Sequence, residues 1–113
     1  MQTSGDVVEL DLGSPQGREA GFRHPAVIVS AQHVLDEGPS VIQVVPLTTT
    51  IRRFGSEITI EPDPANGLTE TSAAQCQHTR AVSPRQITEV RGNVGPAVLM
   101  QVRETIAVLL DIP

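Results

Sequence analysis

Apolar and polar residues alternate along several short segments, a pattern typical of strands with one buried face. In residues 5–12, for example, Val8 and Leu10 lie on one face and Glu9 on the other. Residues 25–30 form a continuous apolar run, which predicts a central strand with a proline at its first position. Further strands are predicted at 41–47, at 56–61, more weakly at 73–82, and, after a short turn, within 85–92.

The apolar period changes near the C-terminus, from that of a strand to that of a helix. The pair Gly95-Pro96 suits a helix start, because proline at the first helical position gives up an N–H that would be unpaired anyway. Residues 13–22 have turn composition, and residues 31–38 predict a helical turn or loop. The fold class is therefore mainly β with one C-terminal helix (α+β), built as one domain over 1–113. The predicted helical stripe consists of Val98, Leu99, Val102, Ile106, Leu109 and Leu110.

Charge is distributed unevenly along the chain. The net charge is −5, which by itself argues against a nucleic-acid partner. All eight basic residues are arginine, however, and six of them fall in three segments that contain a single acid, Glu19. An acidic protein with one basic face fits this pattern, and so does a set of solvated loop arginines.

The chain has one cysteine, Cys76, and no cysteine–histidine cluster at metal-ligand spacing. A single cysteine forms no internal disulfide, which favours a reducing compartment. No segment has the length and apolar character of a membrane span or a signal peptide. We therefore expect a soluble, cytoplasmic protein without a metal site.

The order and spacing of several short strings resemble the MazF/PemK family of toxin endoribonucleases along nearly the whole chain. The resemblance implies an SH3-like barrel with a C-terminal helix, usually as a homodimer. It also implies cleavage of single-stranded RNA without metal or cofactor, and neutralisation by an acidic antitoxin. The strings are "GDVVELDL", "HPAVIVS", "VVPLTTT", "SEI", "NGL", "CQHTRAV" and "AVLLDI".

The resemblance implies two catalytic positions, a threonine at the end of the third strand and an arginine directly before the proline of the second. The threonine matches Thr48, although Thr48 is also an ordinary β-branched strand residue. The arginine position departs from the family pattern, because this chain has Arg23-His24-Pro25 where the family has Arg-Pro. Three interpretations stay open. His24 takes the position and transfers a proton, Arg23 reaches the phosphate after a local adjustment, or His24 is structural and the enzyme is weakened.

Residues that flank these positions are candidates for RNA binding. Arg52 and Arg53 are candidates for phosphate contacts, and Phe54 either stacks on a base or packs onto the core. His78 is a second acid–base group, a base-reading residue or a plain surface histidine, whereas Glu57 matches a family position and is interpreted as structural. The full predicted RNA-binding set is Glu19, Thr49, Arg52, Arg53, Phe54, Gln77, His78 and Arg80.

The sequence thus predicts a metal-independent, sequence-selective endoribonuclease toxin that acts on mRNA or structured RNA and leaves a 2′,3′-cyclic phosphate. An alternative is a CcdB-like toxin, which has the same barrel and helix but binds DNA gyrase without chemistry. A third possibility is a catalytically weakened family member that retains antitoxin binding.

Overall fold

The computed structural model describes residues 2–13 and 23–113, which form seven strands and two α-helices. Each predicted strand is present within two residues of its expected bounds, with the exception of the segment 73–82. The strands are β1 (Asp6–Asp11), β2 (Arg23–Ile28), β3 (Ile42–Thr48), β4 (Glu57–Ile60), β5 (Ser72–Gln75), β6 (Arg80–Val82) and β7 (Ile87–Asn93). The helices are α1 (Gln32–Leu35) and α2 (Gly95–Leu109).

The strands form one antiparallel sheet in the order β4-β5-β3-β2-β1-β7, with β6 also paired to β3. The mainly β fold with one C-terminal helix is confirmed, and the sheet is not closed, because no ladder joins β4 to β7 among the described residues. Residues 61–68 span this gap instead, where the amide N–H of Asn93 donates to the carbonyl of Ala65 (2.9 Å). Pro62 and Pro64 lie in that segment and have no N–H for a strand ladder.

Two apolar clusters lie on opposite faces of the sheet, as the alternation predicts. One face packs against α2 and contains Val7, Val27, Val45 and Leu47 among others. The other face carries the second cluster, which is covered in part by Leu35 of α1. Its members are Val8, Leu10, Ala26, Ile28, Leu35, Ile42, Val44 and Val82.

The buried face of α2 is shorter than the predicted stripe. Leu99 and Val102 are buried, and Val98 and Ile106 pack against the same cluster. The prediction for the last turn is wrong, because Leu109 and Leu110 are exposed. The helical spacing of apolar residues continues into the last turn, but this turn lies beyond the buried cluster against which α2 packs.

The segment 73–82 is not one continuous strand. On β3, Leu47 pairs with Ala74 and Val44 pairs with Arg80, so three steps along β3 correspond to six along the facing segment. The three surplus residues form a 3₁₀ turn, Cys76–His78, between β5 and β6. Insertions of this kind interrupt a ladder and redirect side chains.

Candidate functional site

An open cleft of about 330 Å³ lies on the sheet face opposite α2, beside the second apolar cluster. Its floor is apolar and comes from β1, β2 and β3. Its polar groups come from β2, from the end of β5, and from the segment that contains the surplus turn. The lining residues are Leu10, Leu12, His24, Ala26, Val44, Pro46, Gln75, His78 and Arg80.

The strand β2 places His24 and Arg23 on opposite sides of the sheet, because successive side chains of a strand alternate. His24 shares its face with Ala26 and lines the cleft. Arg23 is exposed on the other face, where its guanidinium donates to the hydroxyl of Thr88 (3.2 Å).

The ring of His24 is oriented by the backbone of the next residue, Pro25. Nδ1 lies 2.9 Å from the carbonyl oxygen of Pro25. A carbonyl oxygen only accepts, so the proton of this hydrogen bond belongs to Nδ1.

Thr48 lies at the end of β3, on the same sheet face as His24. The paired positions of β2 and β3 end at Ala26 and Pro46, and His24 and Thr48 each lie two residues beyond that pair on its face of the sheet. Thr48 does not line the cleft. It lies two residues after Pro46, which does, at the end of β3. Its hydroxyl oxygen accepts from the amide of Thr50 (3.1 Å), and the hydroxyl keeps its own proton for donation.

The surplus turn and the following strand supply two further predicted residues to the cleft, His78 and Arg80. Arg80 pairs with Val44 and lies exposed on the cleft face. Of the residues that line the cleft, Arg80 is the one with a permanent positive charge, and none is an Asp or Glu. The cleft therefore suits an anionic ligand.

The loop between β3 and β4, residues 49–56, carries four other predicted residues, of which Thr49, Arg52 and Arg53 are exposed. Phe54 is 53% exposed and does not pack into the core. Arg53 has φ +59°, a left-handed conformation that costs a non-glycine residue about 1–2 kcal/mol. Such strain is found preferentially at functional segments.

Gln77 of the surplus turn points to a different partner. Its amide nitrogen donates to Oε2 of Glu57 (2.9 Å), and the guanidinium of Arg52 lies 3.9 Å from the same oxygen. Glu57 thus connects two predicted RNA-binding residues, a role that the sequence interpretation of Glu57 missed. Since Gln77 follows Glu57 by twenty residues, no local pattern signals this contact.

The predicted Glu19 lies outside the described residues. Gln75, which lines the cleft, was not predicted, because its place at the end of β5 opposite Glu57 exists only in the assembled sheet.

Cys76 is buried in the cluster that packs against α2. Burial raises the pKa of its thiol to about 11, the nearby Glu57 carboxylate adds to this rise, and a backbone hydrogen bond opposes it. In the described part of the chain, no group of three His, Cys, Asp or Glu side chains is placed to hold a metal ion. The helices described here are all too short or too polar to cross a membrane.

Comparisons with known proteins agree on one family. Residues 3–110 match the model of the PemK-like, MazF-like toxins of type II toxin–antitoxin systems. The chain is 28% identical to the endoribonuclease MazF9 of Mycobacterium tuberculosis, over 99% of this chain and 98% of that protein.

Two solved structures share the fold. One is MazE–MazF from Deinococcus radiodurans, with a TM-score of 0.81, 23% identity and coverage of 99% of this chain and 97% of that one. The other is an endoribonuclease in complex with its cognate antitoxin from a mycobacterial species. Its TM-score is 0.78 at 20% identity, with 100% of this chain and 98% of that one covered.

Proposed function

Because the chain belongs to the PemK-like, MazF-like toxin family of type II toxin–antitoxin systems, we propose that it is an endoribonuclease toxin that cleaves single-stranded RNA. The observation that carries this proposal is the cleft, which is lined by His24, His78 and Arg80. Phosphodiester cleavage by an internal nucleophile needs proton transfer and stabilisation of extra negative charge, which imidazole and guanidinium groups can supply.

In the proposed reaction the ribose 2′-oxygen attacks the adjacent phosphorus. The 2′-O–H bond breaks, a P–O2′ bond forms, the P–O5′ bond breaks, and a proton is delivered to the departing O5′. The products are a 2′,3′-cyclic phosphate and a 5′-hydroxyl, so the reaction consumes no water and no cofactor.

The residues of the cleft divide these tasks by their chemistry. We assign proton donation to O5′ to His24, whose Nδ1 is held by Pro25 so that Nε2 carries the transferred proton. His78, the second imidazole of the cleft, accepts the 2′-hydroxyl proton. Arg80 neutralises the extra charge of the pentacoordinate phosphorane, and the Thr48 hydroxyl donates to a phosphate oxygen.

Arg23 has no part in this assignment, because its side chain lies on the opposite sheet face and contacts Thr88. This placement favours the interpretation in which His24 occupies the position of the family arginine. The loop of residues 49–56 holds the RNA backbone through Arg52 and Arg53, and Phe54 offers an exposed ring for base stacking.

Incubation of the purified protein with a mixed single-stranded RNA in EDTA tests the activity. We expect discrete fragments that end in a 2′,3′-cyclic phosphate, and a loss of at least a hundredfold in kcat for Thr48→Ala and for His24→Ala. Thr105→Ala is the matched control, since that threonine lies on α2 and its hydroxyl donates only to Gln101. Intact RNA after incubation with wild type refutes the activity, and wild-type rates in both variants refute the residue assignment.

The relatives described above are named as endoribonucleases or MazF toxins, so we propose RNA cleavage rather than gyrase binding. Supercoiling inhibition by a protein that leaves RNA intact would reverse this choice. Binding of RNA without cleavage would instead identify a weakened family member.

The proposed partners are an acidic antitoxin, which covers the arginine-bearing loops, and a second copy of this chain. Complementary charge supports the first, because Arg52, Arg53 and Arg80 are exposed on an otherwise acidic protein. Exposed apolar side chains along α2, Met100, Val108 and Leu109, support self-association. Sedimentation at micromolar concentration tests the dimer, and we place the activity in the cytoplasm, where RNA is accessible.

A further inference from the structure

Glu57, the first residue of β4, is buried although it carries a carboxylate. Its side chain is 1% exposed. Oε2 accepts a hydrogen bond from the amide of Gln77 and has Arg52 at 3.9 Å. Oε1 has no partner, and it is the only buried side-chain polar atom without one in the part of the chain that the structure describes.

This arrangement is unfavourable for the stability of the fold. A buried carboxylate oxygen without a hydrogen bond loses its hydration and gains nothing in return. The one ion pair of Glu57 is long, and the side chain of Arg52 is 46% exposed. Solvent therefore screens the attraction by which Arg52 offsets the cost of burying the carboxylate. Packing alone therefore does not explain a glutamate at this position, whereas a function that needs a fixed acceptor does.

Glu57 lies where the two segments beside the cleft meet. Its amide donates to the carbonyl of Phe54 (3.0 Å), which closes the loop of residues 49–56. The amide of Cys76 donates to the carbonyl of Ser56 (3.1 Å), which attaches the surplus turn to the same loop. The Glu57 carboxylate then holds one side chain from each segment, Arg52 from the loop and Gln77 from the turn.

The carboxylate also determines which way the Gln77 amide faces. A carboxylate accepts only, so the NH₂ group of Gln77 must point to Glu57 and its carbonyl oxygen must point away. Gln77 is itself exposed. Its carbonyl oxygen is therefore an oriented hydrogen-bond acceptor on the residue that precedes His78 of the cleft, and the side chain itself lies outside the cleft, beside Thr79 and Leu109.

We propose that Glu57 is a positioning residue for RNA recognition, which fixes the Gln77 amide so that its carbonyl oxygen accepts from the amino or imino edge of an RNA base. The inference rests on the proposed ribonuclease function and deepens it. Glu57 does not touch RNA. It acts through Gln77, and more weakly through the orientation of Arg52.

The variant Glu57→Gln tests the proposal because it keeps the shape and removes the charge. A glutamine both donates and accepts, so Gln77 is no longer restricted to one orientation. We expect KM for RNA to rise about tenfold, relaxed base preference at one position of the cleavage site, and kcat within about threefold of wild type. The midpoint of thermal unfolding should stay the same or rise, since an unpaired buried charge has been removed.

Matched variants separate this role from a structural one. Glu61→Gln is the control, because that glutamate is exposed and accepts from Thr71, and it should behave as wild type. Gln77→Ala should reproduce the KM and base-preference changes of Glu57→Gln, and the double variant should be no worse than either single variant.

A lowered unfolding midpoint with wild-type KM and base preference would overturn the inference and make Glu57 structural. If Glu57→Gln does not fold, Gln77→Ala decides alone, and an unchanged base preference in that variant overturns the inference. Failure of wild type to cut any RNA refutes the proposed function and this inference with it. Cleavage by wild type together with identical cleavage by Glu57→Gln refutes the inference only.

Discussion

Raising the pH from 9 to 11 should destabilise the protein through one side chain, Cys76. The residue is 3% exposed, and its sulfur lies 3.8 Å from the carbonyl oxygen of Val102 in α2. Burial is the main reason why the pKa of the thiol rises from 9.0 to about 11. The chain contains no lysine and no tyrosine, and arginine stays protonated, so no other side chain titrates in this interval.

The sign and size of the effect follow from proton linkage. The thiol of the unfolded chain loses its proton near pH 9, whereas that of the folded protein keeps it until about pH 11. Above pH 9 the unfolded state therefore binds fewer protons, and the free energy of unfolding falls as pH rises. One pKa unit corresponds to about 1.4 kcal/mol, so the loss at pH 11 is about 2 kcal/mol, and the curve flattens beyond that pH.

Urea denaturation between pH 8 and 11.5 measures this loss directly. The free energy of unfolding should be level below pH 9 and fall toward pH 11 in wild type. A Cys76→Ala variant will be less stable throughout, because it leaves a small cavity, but its curve should stay level over the same interval. Equal slopes in the two proteins, or a level curve in wild type, would refute the reasoning.

Three other changes test the site and the core. His24→Arg should lower kcat for RNA cleavage by about tenfold or more, because arginine keeps a positive charge but does not give up a proton to the departing oxygen; an unchanged kcat contradicts the proton-donor role. Arg53→Gly should raise stability by up to about 1 kcal/mol in urea denaturation, because it relieves φ +59°. The same variant should reduce the slope of log K for RNA binding against log salt concentration by the amount expected for about one phosphate contact. An unchanged slope argues against that contact. Val102→Ala, at a fully buried position, should cost about 2 kcal/mol in thermal unfolding, against less than about 0.5 for Val108→Ala at 78% exposure; equal costs would contradict the packing of α2.

Local patterns were sufficient for most of the elements. The alternation of Val8, Glu9 and Leu10 identifies a half-buried strand without knowledge of its neighbours, and Gly95-Pro96 marks the start of α2. The apolar pattern did not predict burial correctly where neighbouring elements determine which side chains are covered. Leu109 and Leu110 continue the helical stripe, yet they are exposed because the buried cluster of that face ends before them.

The candidate site was predictable in its members but not in their arrangement. The strings around His24, Thr48 and Arg80 marked them as candidates. Nothing local indicated that three surplus residues interrupt the segment 73–82, since the surplus exists only relative to β3. The same holds for the contact between Glu57 and Gln77, which joins two segments distant in sequence.

The sequence by itself determined that Arg23 and His24 point to opposite sides of a strand, because the side-chain period of a strand is two. Which of the two faces the cleft was decided by tertiary structure, through the register that pairs Ala26 with Pro46 and so brings His24 toward Thr48. A shift of one residue in that register would exchange the two side chains. The register is set by burial on both faces of the sheet, which is a property of the assembled core and of no single segment.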